Sequence, residues 1–110
     1  MDKVPDKIKE QIREFINNLL PEMPVDKVIL FGSYAKGTAR KDSDVDVAVF
    51  SQKFTGWKTV DILTFLLNKT MNLSIDLQPV GFPSEFEDND FIRRIEREGI
   101  AVFERQQFIV

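Results

Sequence analysis

The stretch VDKVILFGSYAKGTARKDSDVDVAVF, residues 25–50, decides the fold of this chain. Two apolar runs flank a polar loop that carries two glycines. Val25 to Phe31 is short, β-branched and aliphatic and stops at Gly32, the pattern of a buried strand. Asp44 to Phe50 alternates Val45, Val47 and Val49 against Asp44, Asp46 and Ala48, the pattern of a strand with one apolar face. The loop 32–43 has room for one helical turn around Ser33–Lys36. Because Asp44 and Asp46 stand two apart on a strand, both carboxylates point to one face while the valines enter the core.

Outward from this stretch, helices and strands alternate. Ile8, Ile12, Phe15, Ile16, Leu19 and Leu20 recur at helical spacing from Pro5 to Leu20, and Pro21–Pro24 stops that helix. Trp57 to Lys69 reads as a second helix, with an apolar stripe at Val60, Leu63, Leu66 and Leu67 widened by Ile62 and Phe65. Leu73, Ile75 and Leu77 alternate with Ser74, Asp76 and Gln78 in a third strand ending at Pro79. Ser84 to Glu98 holds a last amphipathic helix around Phe91, Ile92 and Ile95, with Gly99 as its C-terminal cap. Ile100 to Phe103 adds a fourth strand at an edge. The expected fold is α/β: a single domain over residues 1–110, with a mixed sheet of about 3–4 strands and flanking helices.

Composition narrows the chemistry. The 110 residues contain no Cys and no His, which removes disulfides, thiol nucleophiles, Ser-His-Asp triads and the usual zinc sites. A metal here is held by oxygen, which favours magnesium, manganese or calcium. The net charge of −3 has no basic stripe, so a dedicated nucleic-acid binder is not expected. No apolar run approaches the roughly 20 residues of a membrane span. Met1–Pro5 leads into a charged helix pattern rather than a signal peptide, so the expected location is cytoplasmic.

Three common readings of residues 32–47 fail on named residues. A P-loop needs Lys after its second glycine, and Thr38 follows Gly37 directly. A dinucleotide fingerprint needs glycine where Tyr34 stands. A calcium loop opening at Asp42 needs glycine at Val47 and glutamate at Lys53. A physical reading remains. Two carboxylates on one strand face repel unless a cation sits between them. The Gly32-Ser33 turn offers backbone N–H groups and a hydroxyl to phosphate oxygens, with Lys36, Arg40 and Lys41 nearby as counter-charge. A phosphate cradle beside an acidic pair is the layout of metal-assisted phosphoryl or nucleotidyl transfer.

Gly32-Ser33, ten intervening residues and Asp44-Val45-Asp46 resemble the signature of the polymerase-beta-like nucleotidyltransferase superfamily. The fuller pattern, Gly32-Ser33-x-Ala35-x-Gly37 followed by Ser43-Asp44-x-Asp46, is similar to its minimal members, the MNT proteins that are commonly encoded beside a helical HEPN toxin as antitoxins. The resemblance implies that Gly32 and Ser33 hold the triphosphate of ATP or another nucleoside triphosphate, within a nucleotide-binding motif that includes Lys36 and Ser43. It implies that Asp44 and Asp46 bind two magnesium ions, with manganese as the alternative. Asp76 is the acidic residue of the predicted third strand, and the resemblance makes it the third catalytic and metal-binding carboxylate. Lys36 stands where many members have Arg, which keeps the charge and loses the bidentate fork.

The expected activity is transfer of a nucleoside monophosphate, AMP from ATP, onto a hydroxyl of a partner protein, a HEPN-domain toxin. The alternatives are transfer to a small, aminoglycoside-like alcohol, for which such enzymes generally carry an extra helical domain, and a non-catalytic module that neutralises its partner by occlusion. Five of ten phenylalanines, Phe82, Phe86, Phe91, Phe103 and Phe108, lie near the C-terminus, and the apolar tail Gln107–Val110 is a candidate docking edge.

Overall fold

A computed structural model describes residues 4–85 and 89–109. Its elements follow the chain as α1 (Asp6–Leu19), β1 (Lys27–Phe31), α2 (Ser33–Lys36), β2 (Val45–Phe50), α3 (Thr59–Asn68), β3 (Leu77–Phe82), α4 (Asp90–Glu98), β4 (Ile100–Glu104) and β5 (Gln107–Phe108). The five strands form one mixed sheet in the order β3-β2-β1-β4-β5. β1 runs antiparallel to both β2 and β4, whereas β2 and β3 are parallel and joined through α3.

The sheet is covered on both faces. On one, Ile8, Ile12, Phe15, Ile16 and Leu19 of α1 and Ile62 and Leu66 of α3 bury against Val28, Leu30, Val45, Val47 and Val49. On the other, Ile92 and Ile95 of α4 bury against Ile29, Ala48 and Phe50. Each fully buried Ile or Phe contributes about 1.5–3 kcal/mol, so two isoleucines suffice to seat α4. The second core corrects the one-faced reading of residues 44–50: the Asp44–Asp46 side turns apolar from Ala48 onward and lies under α4.

Several further expectations change. α3 buries Ile62 and Leu66, while Val60, Leu63 and Leu67 are exposed, so the inward stripe lies to one side of the expected one. The third strand begins at Leu77, and it runs through Pro79 to Phe82 instead of ending there. The Asp76 and Phe82 carbonyls accept from Val45 and Ser51 of the β2 side, so by alternation Pro79 faces the open edge, where no N–H is needed. The last helix starts at Asp90, with the Asn89 side chain accepting from the Ile92 N–H at 2.8 Å. Gly99 does end it, with an extended φ of −85° rather than a left-handed cap.

β4 is interior rather than an edge. Arg105 and Gln106, at φ of 54° and 64°, make a two-residue hairpin turn that folds β5 back onto it. Phe108 thereby packs on Phe103 with ring centroids 5.1 Å apart, under the Arg13 guanidinium. Most of the described tail is thus folded into the sheet, with Ile109 exposed. Phe86 and Val110 lie outside the described residues.

Candidate active site

The topology brings the motif residues to one end of the sheet. Phe31, last in β1, pairs with Asp46, and Val45, first in β2, pairs with Leu77, first in β3. Gly32, Asp44, Asp46 and Asp76 therefore surround the ends of three adjacent strands. Leu77 belongs to the α1/α3 core, so strand parity sends Asp76 to the opposite face, the one that holds Asp46.

Gly32 adopts φ 75° and ψ −152°, a region essentially reserved for glycine. A Cβ on it would lie 2.5 Å from Asp46 Oδ2. Both the chain reversal and the close approach of the carboxylate thus require glycine here. α2 follows as one turn, with the Ala35 and Lys36 N–H groups donating to the Gly32 carbonyl, and the left-handed Gly37 closes it. The first N–H groups of a helix have no carbonyl in an earlier turn to bond, so they point out of the turn toward incoming anions.

The Arg40 N–H donates to Ser43 Oγ at 2.7 Å, and the Ser43 N–H donates back to the Arg40 carbonyl. Ser43 thus locks the turn that delivers Asp44. Asp76 is held twice: its carbonyl accepts from the Val45 N–H at 3.0 Å, and its carboxylate accepts from Gln78 Nε2 at 2.6 Å. Its side chain also meets that of Asp44. This hydrogen bond and the charge of Asp76 push the Asp44 carboxyl above the ordinary carboxylate range. Asp46 is pushed the same way, first by burial and then by the charges of Asp44 and Asp76.

Two cavities flank this acidic centre. One, about 430 Å³, is lined by Tyr34, Lys41, Ser43 and Asp76 together with the start of α1. The other, about 250 Å³, is lined by the apolar Phe31, Phe91 and Ile95 together with Gly32, Lys36, Arg94 and Glu98. Lys36 and Ser43 therefore open onto different cavities. Beside the second cavity Arg94 Nε donates to Glu98 Oε2 at 2.9 Å, and this bond, with the charges of Lys36, Arg94 and Arg97, holds the Glu98 carboxyl low. Sequence reasoning put Phe91 with Ile92 and Ile95 on the apolar face of the last helix and gave Arg94 and Glu98 no role, whereas Phe91 is half exposed beside the cavity. Their helical spacing is visible in the sequence, but their position over Gly32 depends on where α4 crosses the sheet.

The donor set fits a hard divalent cation. Neighbouring carboxylate charge acts on both Asp44 and Asp46, and oxygen donors of this kind suit magnesium. Among the described residues no three acidic side chains are grouped closely enough to ligate an ion by themselves. Magnesium characteristically takes one or two carboxylates and completes its shell with water and substrate phosphates.

Residues 9–102 match the family of the nucleotidyltransferase domain. Two proteins of Methanocaldococcus jannaschii are similar in sequence. "Putative protein adenylyltransferase MJ0141" is 31% identical over 99 residues, covering 86% of this chain and 98% of that protein. "Putative protein adenylyltransferase MJ1215" is 32% identical over 80 residues, covering 68% and 87%. Among solved structures, one described as "a putative nucleotidyltransferase from Sulfolobus solfataricus" superposes with a TM-score of 0.67 at 16% identity, over 96% of this chain and 94% of that one. A structure described as a toxin-antitoxin with AMP-PNP gives a TM-score of 0.62 at 25% identity, over 90% and 75%. With its signature residues gathered at one end of the sheet and the family match spanning most of its length, the chain belongs to the polymerase-beta-like nucleotidyltransferase domain family and is a nucleotidyltransferase.

Proposed function

We propose that this nucleotidyltransferase moves AMP from ATP onto a hydroxyl of a partner protein, and that the partner is a HEPN-domain toxin that it neutralises as an antitoxin in the cytoplasm. The observation that carries the reading is the approach of Asp46 to the Cβ-less side of Gly32, which joins the phosphate turn to the acidic centre. The relatives named as protein adenylyltransferases and the toxin-antitoxin neighbour with AMP-PNP support the protein acceptor. No helix among the described residues is long and apolar enough to cross a membrane.

In this reading the Gly32-Ser33 turn and Lys36 hold the β- and γ-phosphates, and Ser43 sets the loop that presents Asp44. Asp44, Asp46 and Asp76 would hold two magnesium ions, or manganese, which supply charge neutralisation at the phosphates. Asp76 orients the acceptor hydroxyl and takes its proton on a carboxylate oxygen. The acceptor oxygen then bonds to the α-phosphorus while the bond from that phosphorus to the bridging oxygen of pyrophosphate breaks. Co-expression with a HEPN toxin and intact-mass measurement tests the proposal. The expected result is a gain of one or more AMP units on the toxin, abolished by Asp44→Asn/Asp46→Asn. A toxin left unmodified yet neutralised by both forms would replace transfer with occlusion.

A further inference from the structure

The cavity between β1 and α4 has a composition unlike the rest of the site. Phe31 and Phe91 meet edge to face with centroids 6.1 Å apart, and Phe82 meets Phe91 in the same way at 6.1 Å. These contacts fix the Phe91 ring, yet 49% of the residue remains exposed. Ile92 and Ile95 are buried at the sheet, so the helix that carries Phe91 is a fixed wall. An aromatic ring held by its neighbours and open to solvent is a platform for another flat ring.

Size and position restrict what that ring is. At about 250 Å³ the cavity is smaller than the roughly 300–1,000 Å³ that encloses a whole drug-sized ligand. It suits one ring system whose remaining atoms lie outside. Gly32 is one of its lining residues, so a molecule whose phosphates lie at the Gly32-Ser33 turn has its other end within reach. Glu98, whose carboxylate is held by Arg94, adds a hydrogen-bond acceptor to the same lining.

We infer that the Phe31–Phe91–Ile95 cavity takes the base of the nucleotide, and that it selects a purine whose exocyclic amine donates to Glu98. The inference rests on the proposed nucleotide site at Gly32 and Asp46, which it deepens by assigning the base. Phe91 is the stacking platform, and Glu98 is the specificity-determining acceptor.

Calorimetry in magnesium with ATP and UTP tests it on wild type, Phe91→Ala, Phe91→Tyr and the double variant Asp44→Asn/Asp46→Asn, each first shown to be folded by thermal melting. Wild type should prefer ATP to UTP. Loss of one base–aromatic stack corresponds to about 5–150-fold in affinity, so Phe91→Ala should weaken ATP by that factor and flatten the preference. Phe91→Tyr keeps the ring and should keep the affinity and the preference. If Phe91→Ala binds ATP as wild type while the double variant does not, the base assignment is wrong and the catalytic reading stands. If the double variant keeps ATP and Phe91→Ala loses it, the base cavity stands without the catalytic reading. Equal affinity of wild type for ATP and UTP overturns the purine preference, and no ATP binding by wild type overturns both.

Discussion

Asp46 Oδ2 lies 2.5 Å from the position that a Cβ on residue 32 would take, so a glycine there lets the acidic strand and the phosphate turn meet this closely. The backbone at φ 75° and ψ −152° demands the same residue for a separate reason. Gly32→Ala should therefore cost about 1–3 kcal/mol of stability and displace Asp46. Thermal unfolding and a transfer assay check it together: both should fall. A wild-type melting temperature with a wild-type rate would show that neither constraint operates.

The acidic centre predicts an unusual pH dependence. Asp44 and Asp46 both ionise less readily in the fold than in the unfolded chain, where the ordinary value is 3.8. The native state thus binds more protons above pH 3.8, and the metal-free protein loses stability as pH rises through the raised values. Asp44→Asn removes one charge from this cluster. It should raise the melting temperature of the EDTA-treated protein at neutral pH and leave it unchanged below pH 3.8. Adding magnesium should stabilise wild type more than the variant. Parallel melting curves for the two proteins across the whole pH range would show that the carboxylates do not repel.

Period and parity made much of this site legible in the sequence. Asp44, Asp46 and Asp76 each fall opposite a core residue, and the Gly32 turn follows a buried run. Periodicity identifies residues that share a face without saying what covers it. Ala48 and Phe50 therefore gave no sign of the second core under α4, and the apolar surplus of α3 hid which residues turn inward. Pro79 looked like a strand end because its tolerance depends on facing the open edge, which only strand order reveals. The same limit hid where Phe91 and Glu98 lie.

Gly99 offers a test of packing independent of chemistry. Its φ of −85° is open to any residue, so conformation does not explain the glycine. Space does: a Cβ would lie 2.4 Å from Ile29 Cγ2, 2.5 Å from the Ile95 carbonyl and 2.9 Å from the Leu30 carbonyl. Two of these are backbone atoms that cannot rotate away. Gly99→Ala should lower stability by about 1–3 kcal/mol through overpacking, read as a lower denaturant midpoint. An unchanged midpoint would mean that α4 shifts freely over β1.

Asp76 separates binding from turnover. Its carbonyl holds the Val45 N–H whatever the side chain, so Asp76→Asn keeps the ladder that positions Asp44 and Asp46. The substitution also removes the charge that raises the Asp44 carboxyl, which should let Asp44 ionise more readily. With Asp44 and Asp46 still in place, much of the ATP affinity should be kept. The acceptor hydroxyl, however, loses the base that orients it and takes its proton, a contribution of about 10²–10⁴-fold in rate. Calorimetry with ATP and single-turnover transfer to the partner give the two readouts. A rate that falls by this factor with ATP affinity intact assigns Asp76 to the acceptor side. A parallel loss of both would place it among the nucleotide-holding carboxylates, and wild-type turnover would remove it from the mechanism.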